Sequence, residues 1–257
     1  MSSTELPGAH RESPQGEREA GASPPEGGRP GRVGIRALQD YLKAIYKLAG
    51  DTAEPVSTSA LAERLKVAQP SVTGMVKKLA AEGLIEHLPY QGVRLTAAGR
   101  RVAVETIRRH RIVEQFLVQV LGLSWDEVDA EAEVLEHSVS ERVVNRMWEV
   151  LGRPASDPHG SPIPAPHADL HEPRALCALA DAPRGGSLRV ARLHERSPEE
   201  LRYLADLGLT PGAAVRVEER APFNGPLMIR VGGALHVLDA GMAAAILVQE
   251  VNDAAGN

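Results

Sequence analysis

Cysteine is nearly absent from this 257-residue chain, and its single thiol, Cys177, excludes an internal disulfide framework. One cysteine also excludes every zinc finger that needs several thiolate ligands. Aromatic residues make up only 3% of the chain, so the hydrophobic cores have to be built from Ala, Leu and Val. The sequence contains no run of about eighteen apolar residues, which argues against a membrane span.

The N-terminus also lacks the charged and then apolar pattern of a secretory signal, so we expect a cytoplasmic protein. Residues 1–34 are rich in Gly, Pro, Glu, Arg and Ser and hold almost no large apolar side chains. Such a segment cannot bury enough surface to offset its ordering entropy, which predicts a disordered tail. The remaining length is enough for more than one domain.

The net charge of −5 hides two modules of opposite charge. Residues 61–111 contain ten Lys or Arg against four Asp or Glu, which gives a local charge of +6. Residues 124–149 contain two basic residues against eight acidic ones, which gives −6. The basic module favours a nucleic-acid partner, and the acidic module has to be explained separately.

The basic module begins with the spacing of a helix-turn-helix. Apolar residues at helical spacing predict a first helix over residues 35–49. Ser57 or Thr58 is suited to cap a short second helix. A tight turn then leads to Pro70 at the start of a third helix, over residues 71–83, whose outer side carries small polar residues and lysines.

A wing follows the third helix, because residues 84–87 and 93–96 read as two strands joined by a turn. Short polar side chains at the start of a recognition helix can approach base edges, while Lys77, Lys78 and Arg94 would contact phosphates. A winged helix used for protein contacts is the alternative. The residues predicted to contact DNA are Thr58, Gln69, Pro70, Ser71, Thr73, Gly74, Lys77, Lys78 and Arg94.

The acidic module combines carboxylates with histidines on two predicted helices. His110 and Glu114 lie four residues apart on a long helix that ends near residue 121. Residues 125–151 predict one further helix, with Ser124 as its N-cap. On that helix one narrow stripe, next to an apolar stripe, holds Asp129, Glu133, Glu136 and His137.

Oxygen and imidazole donors without a thiolate suit Mn²⁺, Fe²⁺, Co²⁺ or Zn²⁺ better than a soft metal. A solvated acidic face is the alternative, and it would leave a metal-independent regulator. A metallohydrolase is a further class that uses such clusters. Because the sequence has no nucleophile motif and no HExxH helix, we predict neither an enzymatic activity nor a small-molecule substrate.

The C-terminal part reads as a Pro- and His-rich linker followed by a small β domain. Residues 153–175 form the linker, in which His159, His167 and His171 are expected to be exposed and without a metal. The predicted strands are residues 188–193, 215–218, 227–231 and 235–238, with a short helix capped by Ser197 after the first strand.

Several motifs of this chain, in the same order and at the same spacing, resemble the diphtheria toxin repressor family. The motifs are Tyr41-Leu42-Lys43-Ala44-Ile45-Tyr46, Gln69-Pro70-Ser71-Val72-Thr73, Leu95-Thr96-Ala97-Ala98-Gly99, Arg109-His110-Arg111, Glu136-His137 and residues 157–164. The resemblance covers about residues 37–164 and continues more weakly to the end. It implies a homodimeric, metal-activated repressor of metal-uptake genes that binds palindromic operators in double-stranded DNA.

The resemblance implies a mainly α fold with α+β parts. Its predicted regions are a tail (1–34), a winged helix-turn-helix domain (35–100), a helical dimerisation and metal-binding domain (101–152), a linker (153–175), an SH3-like, FeoA-like β-barrel domain (176–252) and a tail (253–257).

The family's metal sites can be carried over position by position. The activating site corresponds to Asp40, Glu133, Glu136 and His137. A second site corresponds to His110, Glu114 and Asp129, and Glu199 and Glu200 lie near the C-terminal segment that closes it in longer members. Carboxylates at the first two positions of the activating site resemble manganese-responsive members. The resemblance therefore implies Mn²⁺, with Fe²⁺ as the alternative and Co²⁺, Zn²⁺ or Cd²⁺ as substitutes in vitro.

Four positions depart from the family pattern. Lys43 stands where a manganese-responsive member has a further ligand carboxylate, which argues against a binuclear cluster of that type. Asp129 replaces a more common His, and Ser197 occupies one expected ligand position of the second site. Gly74 replaces a base-reading Gln of the iron-responsive type, so we expect a different operator.

Overall fold

The computed structural model describes residues 30–50, 52, 54–166, 168, 176–194, 197–223 and 225–251. The predictions for residues 1–29 and 253–257 and for the linker histidines His167 and His171 lie outside these residues. Within them, no helix is both long enough and apolar enough to cross a membrane.

The first helix, α1 (Pro30–Ala49), begins five residues before its predicted start. Proline is well suited to the first position of a helix, because its missing N–H would have no partner there. The inner face of α1 buries Leu42 and Ile45 completely. These side chains form part of the core that also receives the helix-turn-helix.

The helix-turn-helix consists of α2 (Thr58–Leu65) and α3 (Gln69–Ala81). Of the two predicted caps of α2, Ser57 is the one the structure shows, and its hydroxyl accepts a hydrogen bond from Ala60 N at 3.1 Å. Lys66 ends α2 in the left-handed conformation, with φ of 53°, and this reverses the chain tightly toward α3. The inner face of α3 buries Val72, Val76 and Leu79.

The wing is an antiparallel pair of strands, β1 (Ile85–Leu88) and β2 (Gly92–Leu95). Two backbone hydrogen bonds between Val56 and Val93, at 2.8 and 2.9 Å, hold it against the segment before α2. A Cβ at Gly92 would lie 2.2 Å from Val56 O, and φ there is 124°. Only glycine permits this close approach, so the base of the wing is fixed on the helical core.

Three further helices follow the wing: α4 (Ala97–Gln119), α5 (Val128–Leu135) and α6 (Glu141–Val150). The prediction of one helix over residues 125–151 is therefore wrong. The predicted helix is interrupted because Ser140 adopts an extended conformation and its hydroxyl accepts a hydrogen bond from Val143 N at 3.4 Å. Serine competes with the helical backbone in this way and starts a new helix.

The predicted cap at Ser124 is also wrong. The hydroxyl of Ser124 contacts the Asp126 carboxylate, and its carbonyl accepts a hydrogen bond from Glu127 N at 3.1 Å. The Ser124 hydroxyl is therefore bonded within this turn and does not cap a helix that starts at Trp125. Helix α5 begins only at Val128, and its first residue buries its side chain completely.

The C-terminal part is a six-stranded sheet in which all the paired neighbours are antiparallel. Its strands are β3 (Cys177–Ala178), β4 (Leu188–Leu193), β5 (Ala214–Arg220), β6 (Leu227–Val231), β7 (Ala234–Leu238) and β8 (Ile246–Glu250), in the spatial order β3-β8-β4-β5-β6-β7. Helices α7 (Pro198–Asp206) and α8 (Ala240–Ala244) and a 3₁₀ turn at Leu179–Asp181 complete it.

The C-terminal sheet docks on the helical part through a few defined contacts. Arg202 Nε lies 2.8 Å from Asp126 Oδ2, which joins α7 to the turn before α5. Leu193 N donates a hydrogen bond to His159 O at 2.9 Å. A Cβ at Gly160 would lie 2.1 Å from Ala191 O, so the segment after α6 runs directly against β4.

Candidate metal centres and nucleic-acid interface

The first candidate centre joins α1 to α5. Asp40 lies on α1, Glu133 lies on α5, and Glu136 and His137 lie in the turn that follows α5. Each side chain offers a donor atom within 4.8 Å of the donors of the other three. The structure therefore brings together all four residues that the resemblance assigned to the activating site.

Two donor atoms of the first centre are buried without a hydrogen-bond partner. They are Asp40 Oδ1 and His137 Nε2, which lie 2.9 Å apart. The other nitrogen of the ring, His137 Nδ1, lies 2.8 Å from the amide oxygen of Gln39. Because that oxygen only accepts, Nδ1 carries the proton and Nε2 directs a lone pair toward Asp40. A divalent cation fits this arrangement, since it would satisfy both buried atoms.

A lysine side chain also enters the first centre. Lys43 Nζ donates to Glu133 Oε1 at 2.6 Å and to Glu136 Oε1 at 2.8 Å. Burial alone would lower the pKa of Lys43, but the two carboxylates raise it above its usual value. Burial opposes ionisation of Glu136, yet His110 and Lys43 hold its pKa below the usual range. Glu136 is therefore charged, and the protein itself already neutralises part of that charge.

The second candidate centre contains His110, Glu114 and Asp129, as the resemblance implied. His110 Nε2 lies 3.5 Å from Glu114 Oε1 and 3.3 Å from Asp129 Oδ1. The opposite nitrogen, His110 Nδ1, lies 2.7 Å from Glu136 Oε2 of the first centre. Burial would lower the pKa of His110, but the surrounding carboxylates, Glu114 above all, raise it well above the ordinary value. One imidazole thus connects the two centres.

His159 extends the second centre, which contradicts its prediction as an exposed linker histidine. Glu114, Asp157 and His159 form another group whose donor atoms lie within 4.8 Å of one another. His159 Nε2 donates to Trp125 O at 2.8 Å, and its Nδ1 lies 3.5 Å from Glu114 Oε1. Since a backbone carbonyl only accepts, the lone pair of this ring is on Nδ1 and faces Glu114.

The segment that carries His159 is held by buried side chains of α4. Arg108 Nε donates to Pro164 O at 3.1 Å, and Arg111 donates to the carbonyl of Pro162. Asp157 Oδ1 accepts hydrogen bonds from the backbone N–H of His159 at 2.9 Å, and of Ser161 at 2.8 Å. Burial and the neighbouring Glu114 raise the pKa of Asp157. Half of the predicted linker is thus packed against the helices.

Glu199 and Glu200 do not join the second cluster among the described residues. Glu199 is exposed, and its carboxylate lies 3.7 Å from Arg202 Nη2. Glu200 Oε2 accepts a hydrogen bond from Ser197 N at 3.0 Å and so completes the capping box of α7. Glu200 nevertheless lines a cavity of about 1010 Å³ that His110, Glu114, Asp129 and His159 also line.

The predicted DNA-contacting residues lie on the outer side of the winged helix. Thr58, at the start of α2, is half-buried, and all the others are exposed. Thr73 Oγ1 donates to Gln69 O at 3.2 Å, while Arg94 Nη1 lies 3.9 Å from Glu86 Oε2 across the wing. No side chain caps the start of α3, where Pro70 has no N–H and the N–H groups of Ser71 and Val72 both donate to Ala68 O, at 3.0 and 3.3 Å.

Comparison with known proteins assigns these three parts. Residues 35–93 match the N-terminal DNA-binding domain of iron-dependent repressors, and residues 96–165 match their metal-binding and dimerisation domain. Residues 177–250 match the FeoA domain. The chain belongs to the diphtheria toxin repressor family. It is therefore a metal-dependent DNA-binding transcriptional repressor and not an enzyme.

Individual members of the family match this chain over most of their length. The iron-dependent repressor IdeR of Mycobacterium leprae (strain TN) is 34% identical over 229 residues, which cover 84% of this chain and 98% of the relative. A manganese-dependent transcriptional repressor in complex with manganese is 40% identical, with a TM-score of 0.77 over 83% of this chain and all of that one. The structure of ScaR with bound Zn²⁺ is 34% identical, with a TM-score of 0.72, and the match covers 83% of this chain and 99% of ScaR.

Three residues of this family member were missed as parts of the site. Nothing in the sequence indicates that Gln39 orients His137 or that Lys43 bonds two of the acidic residues, because these contacts join α1 to α5 and to the turn after it. His159 was discounted because its neighbours suggested a linker. The signal that could have found it is the Asp157-Pro158-His159-Gly160 motif itself, which lies inside the resemblance.

Proposed function

We propose that this repressor acts in the cytoplasm and is activated there by Mn²⁺, which binds at the centre formed by Asp40, Glu133, Glu136 and His137. The activated repressor controls genes for metal uptake. The observation that carries the proposal is the donor set of that centre, which is three carboxylates and one imidazole without sulfur. Such donors favour Mn²⁺ over softer ions in relative terms. Fe²⁺ is the second candidate, supported by the likeness to IdeR, an iron-dependent repressor.

The proposed activation depends on the position of the four side chains. Asp40 belongs to the helix that shares a core with α2 and α3, whereas the other three belong to the helical part that follows. A bound divalent ion supplies two positive charges between these elements. The four side chains then hold α1 and α5 together and restrict the orientation of the winged helix, which favours the DNA-competent population.

The proposed second centre uses His110, Glu114 and Asp129 together with His159. Both His110 Nε2 and His159 Nδ1 lie 3.5 Å from Glu114 Oε1. That separation suits neighbouring ligands of an ion with bonds of about 2.1 Å. Asp157 instead remains bound to the backbone of its own segment. Glu199 and Glu200 would need the C-terminal sheet to move before they became ligands.

The proposed assembly is a two-fold homodimer on a palindromic operator. Exposed apolar side chains occur along the outer surfaces of α5 and α6 and after α4, at 46–57% exposure: Val120, Leu121, Val134, Val143 and Val150. Exposed patches of this kind on a dimerisation domain favour a second copy as their partner. In the dimer, the two α3 helices would read half-sites about 34 Å apart.

The proposed DNA contacts divide by chemistry. Ser71, Thr73 and Gly74 lie on the exposed side of α3 and can approach base edges, together with Gln69 and Pro70 at its start. Phosphate contacts are assigned to the hydroxyl of Thr58 and to the charged groups of Lys77, Lys78 and Arg94.

The test is fluorescence anisotropy with a pool of palindromic duplexes under anaerobic conditions, with Mn²⁺, Fe²⁺ or a chelator. We expect binding only with metal, and the ratio of the two activation midpoints identifies the ion. The Asp40→Ala variant should remain dimeric and lose metal activation, whereas Glu131→Ala, which removes an exposed carboxylate of α5, should not. Metal-dependent operator binding by Asp40→Ala would refute the assigned centre, and equal binding with chelator would refute metal activation.

A further inference from the structure

The tip of the wing carries an aromatic side chain that the fold does not use. Tyr90 is completely exposed, and its φ of 64° lies in the left-handed region. Gln91 N donates to Leu88 O at 3.1 Å, so Pro89 and Tyr90 are the central residues of this turn. Glycine or asparagine is usual where the second central residue has a positive φ. Both the conformation and the exposure of Tyr90 therefore cost the folded state free energy.

The rest of the wing gives no structural reason for this residue. Val93 and Ile85 are buried in the core of the helix-turn-helix, and Gly92 lies against the backbone of Val56. These contacts fix the base of the hairpin and leave the tip free of packing. Because no packing at the tip accounts for an aromatic residue with a positive φ, the outlier at Tyr90 points to a function outside the fold itself.

The position of the tip identifies the partner. The wing belongs to the DNA-binding domain and is bonded to the segment just before α2. The three residues of the tip, Pro89, Tyr90 and Gln91, carry no charge, and the nearest acidic group of the hairpin, Glu86, is paired across the strands with Arg94. A DNA backbone can approach such a tip without electrostatic repulsion.

We propose that Tyr90 is a DNA-contacting residue of the wing. Its hydroxyl donates a hydrogen bond to a phosphate oxygen, and its ring packs against deoxyribose beside the groove that α3 enters. This inference rests on the DNA-binding function of the chain and on the proposed placement of α3. Because the tyrosine is neutral and contacts the sugar-phosphate backbone of DNA, it adds affinity for all DNA sequences alike and releases no counterion.

The chain offers a matched control at a second hairpin tip. Residues 222–225, Pro-Phe-Asn-Gly, repeat the order proline, aromatic residue, amide and glycine found in residues 89–92, Pro-Tyr-Gln-Gly. Phe223 is also completely exposed, with φ of 59°. It connects β5 to β6 in the C-terminal sheet and does not belong to the winged helix. Replacing either aromatic residue by glycine relieves a comparable backbone conformation.

The experiment compares the full chain with its Tyr90→Gly, Tyr90→Phe and Phe223→Gly variants. Thermal unfolding should give both glycine variants a midpoint equal to or above that of the wild type, because glycine accepts positive φ. With Mn²⁺ present, anisotropy should give Tyr90→Gly about five- to tenfold weaker binding to the duplex pool, and Tyr90→Phe an intermediate loss. Phe223→Gly should bind like the wild type.

Salt dependence separates this contact from a charged one. We expect Tyr90→Gly to keep the wild-type slope of affinity against salt, whereas Lys78→Gln should bind more weakly with a smaller slope. Wild-type affinity of Tyr90→Gly, an equal loss in Phe223→Gly, or a changed oligomeric state of Tyr90→Gly would each overturn the proposal. DNA binding that ignores metal would instead refute the proposed activation and leave the comparison at Tyr90 valid.

Discussion

The ammonium nitrogen of Lys43 lies 2.6 Å from Glu133 Oε1, inside the cluster that we assign to the activating ion. The same nitrogen lies 2.8 Å from Glu136 Oε1, and Glu136 is completely buried. A cation that belongs to the protein therefore binds two of the four candidate ligands. An incoming ion has to share these carboxylates with Lys43, which weakens its binding but keeps the ligands assembled before it arrives.

Replacing Lys43 with methionine should have opposite effects on metal binding and on folding. Loss of the ammonium should raise the affinity of the first centre for Mn²⁺ by at least about tenfold, because two like charges no longer repel across it. Without metal, the variant should lose about 1.5–3 kcal/mol of unfolding free energy, since the buried Glu136 loses one charged hydrogen-bond donor and keeps His110 as the other. Calorimetric titration and chemical unfolding with chelator measure the two effects. Lys77→Met, at an exposed position, is the control, and weaker Mn²⁺ binding by Lys43→Met would contradict the prediction.

Gln39 should matter for metal binding although it donates no ligand atom. Its amide oxygen, 2.8 Å from His137 Nδ1, fixes which ring nitrogen has the lone pair. Removing such a partner typically costs about 10- to 100-fold in metal affinity. We expect this loss for Gln39→Leu and near wild-type affinity for Gln39→Glu, which keeps the acceptor. Electron paramagnetic resonance of free Mn²⁺ measures both, and a Leu variant that binds like the wild type would exclude the orienting role.

His159 can be tested with two substitutions that mimic different ring nitrogens. His159→Gln keeps a donor near the Trp125 carbonyl and removes the Nδ1 position, whereas His159→Asn keeps a polar atom at that position. We expect Gln to reduce metal affinity at the second centre by at least about tenfold and Asn to reduce it less. Metal content per chain is measured by elemental analysis after dialysis. His236→Gln on β7 serves as control, and full metal content in His159→Gln would remove His159 from the ligand set.

The proposed dimer surface predicts that a single substitution can prevent dimerisation without unfolding the monomer. Val143 and Val150 lie one heptad apart on α6 and are 46% and 57% exposed, so a charge at either position is tolerated in the monomer. Val143→Asp should sediment as a monomer and bind the operator much more weakly, because only one half-site is held. Val237→Asp, which replaces a valine of 59% exposure on β7, should stay dimeric. A dimeric Val143→Asp would place the interface elsewhere.

Much of the fold could be predicted because its signals are local. Ser57 precedes the short second helix, alternating apolar residues form β4, and the wing strands match their predicted positions within one residue. The break between α5 and α6 was missed because apolar spacing continues across it. The extended conformation of Ser140 and the hydrogen bond that its hydroxyl accepts from Val143 N start a new helix, and this local competition is not visible in the apolar spacing.

Three of the candidate ligands were predictable for the same reason, whereas Asp40 was assigned through the family resemblance and the neighbouring residues were not predicted. Glu133, Glu136 and His137 are close in sequence, so helical spacing alone puts them on one face. Lys43 reaches them across 90 or more residues, and His159 enters from a segment whose composition resembles a linker. Contacts between distant segments depend on how helices pack, which periodicity does not encode.

The ring of His110 has consequences for how sharply the repressor responds. Its two nitrogens face different centres, Glu136 on one side and Glu114 with Asp129 on the other. An orientation that suits one centre also fixes the ring for the other, so we expect the filling of the two centres to be coupled. If filling one favours the other, the fraction of active repressor rises more steeply with metal concentration than a single-site curve allows. A cell would then pass from uptake to shut-off within a narrow range of free metal.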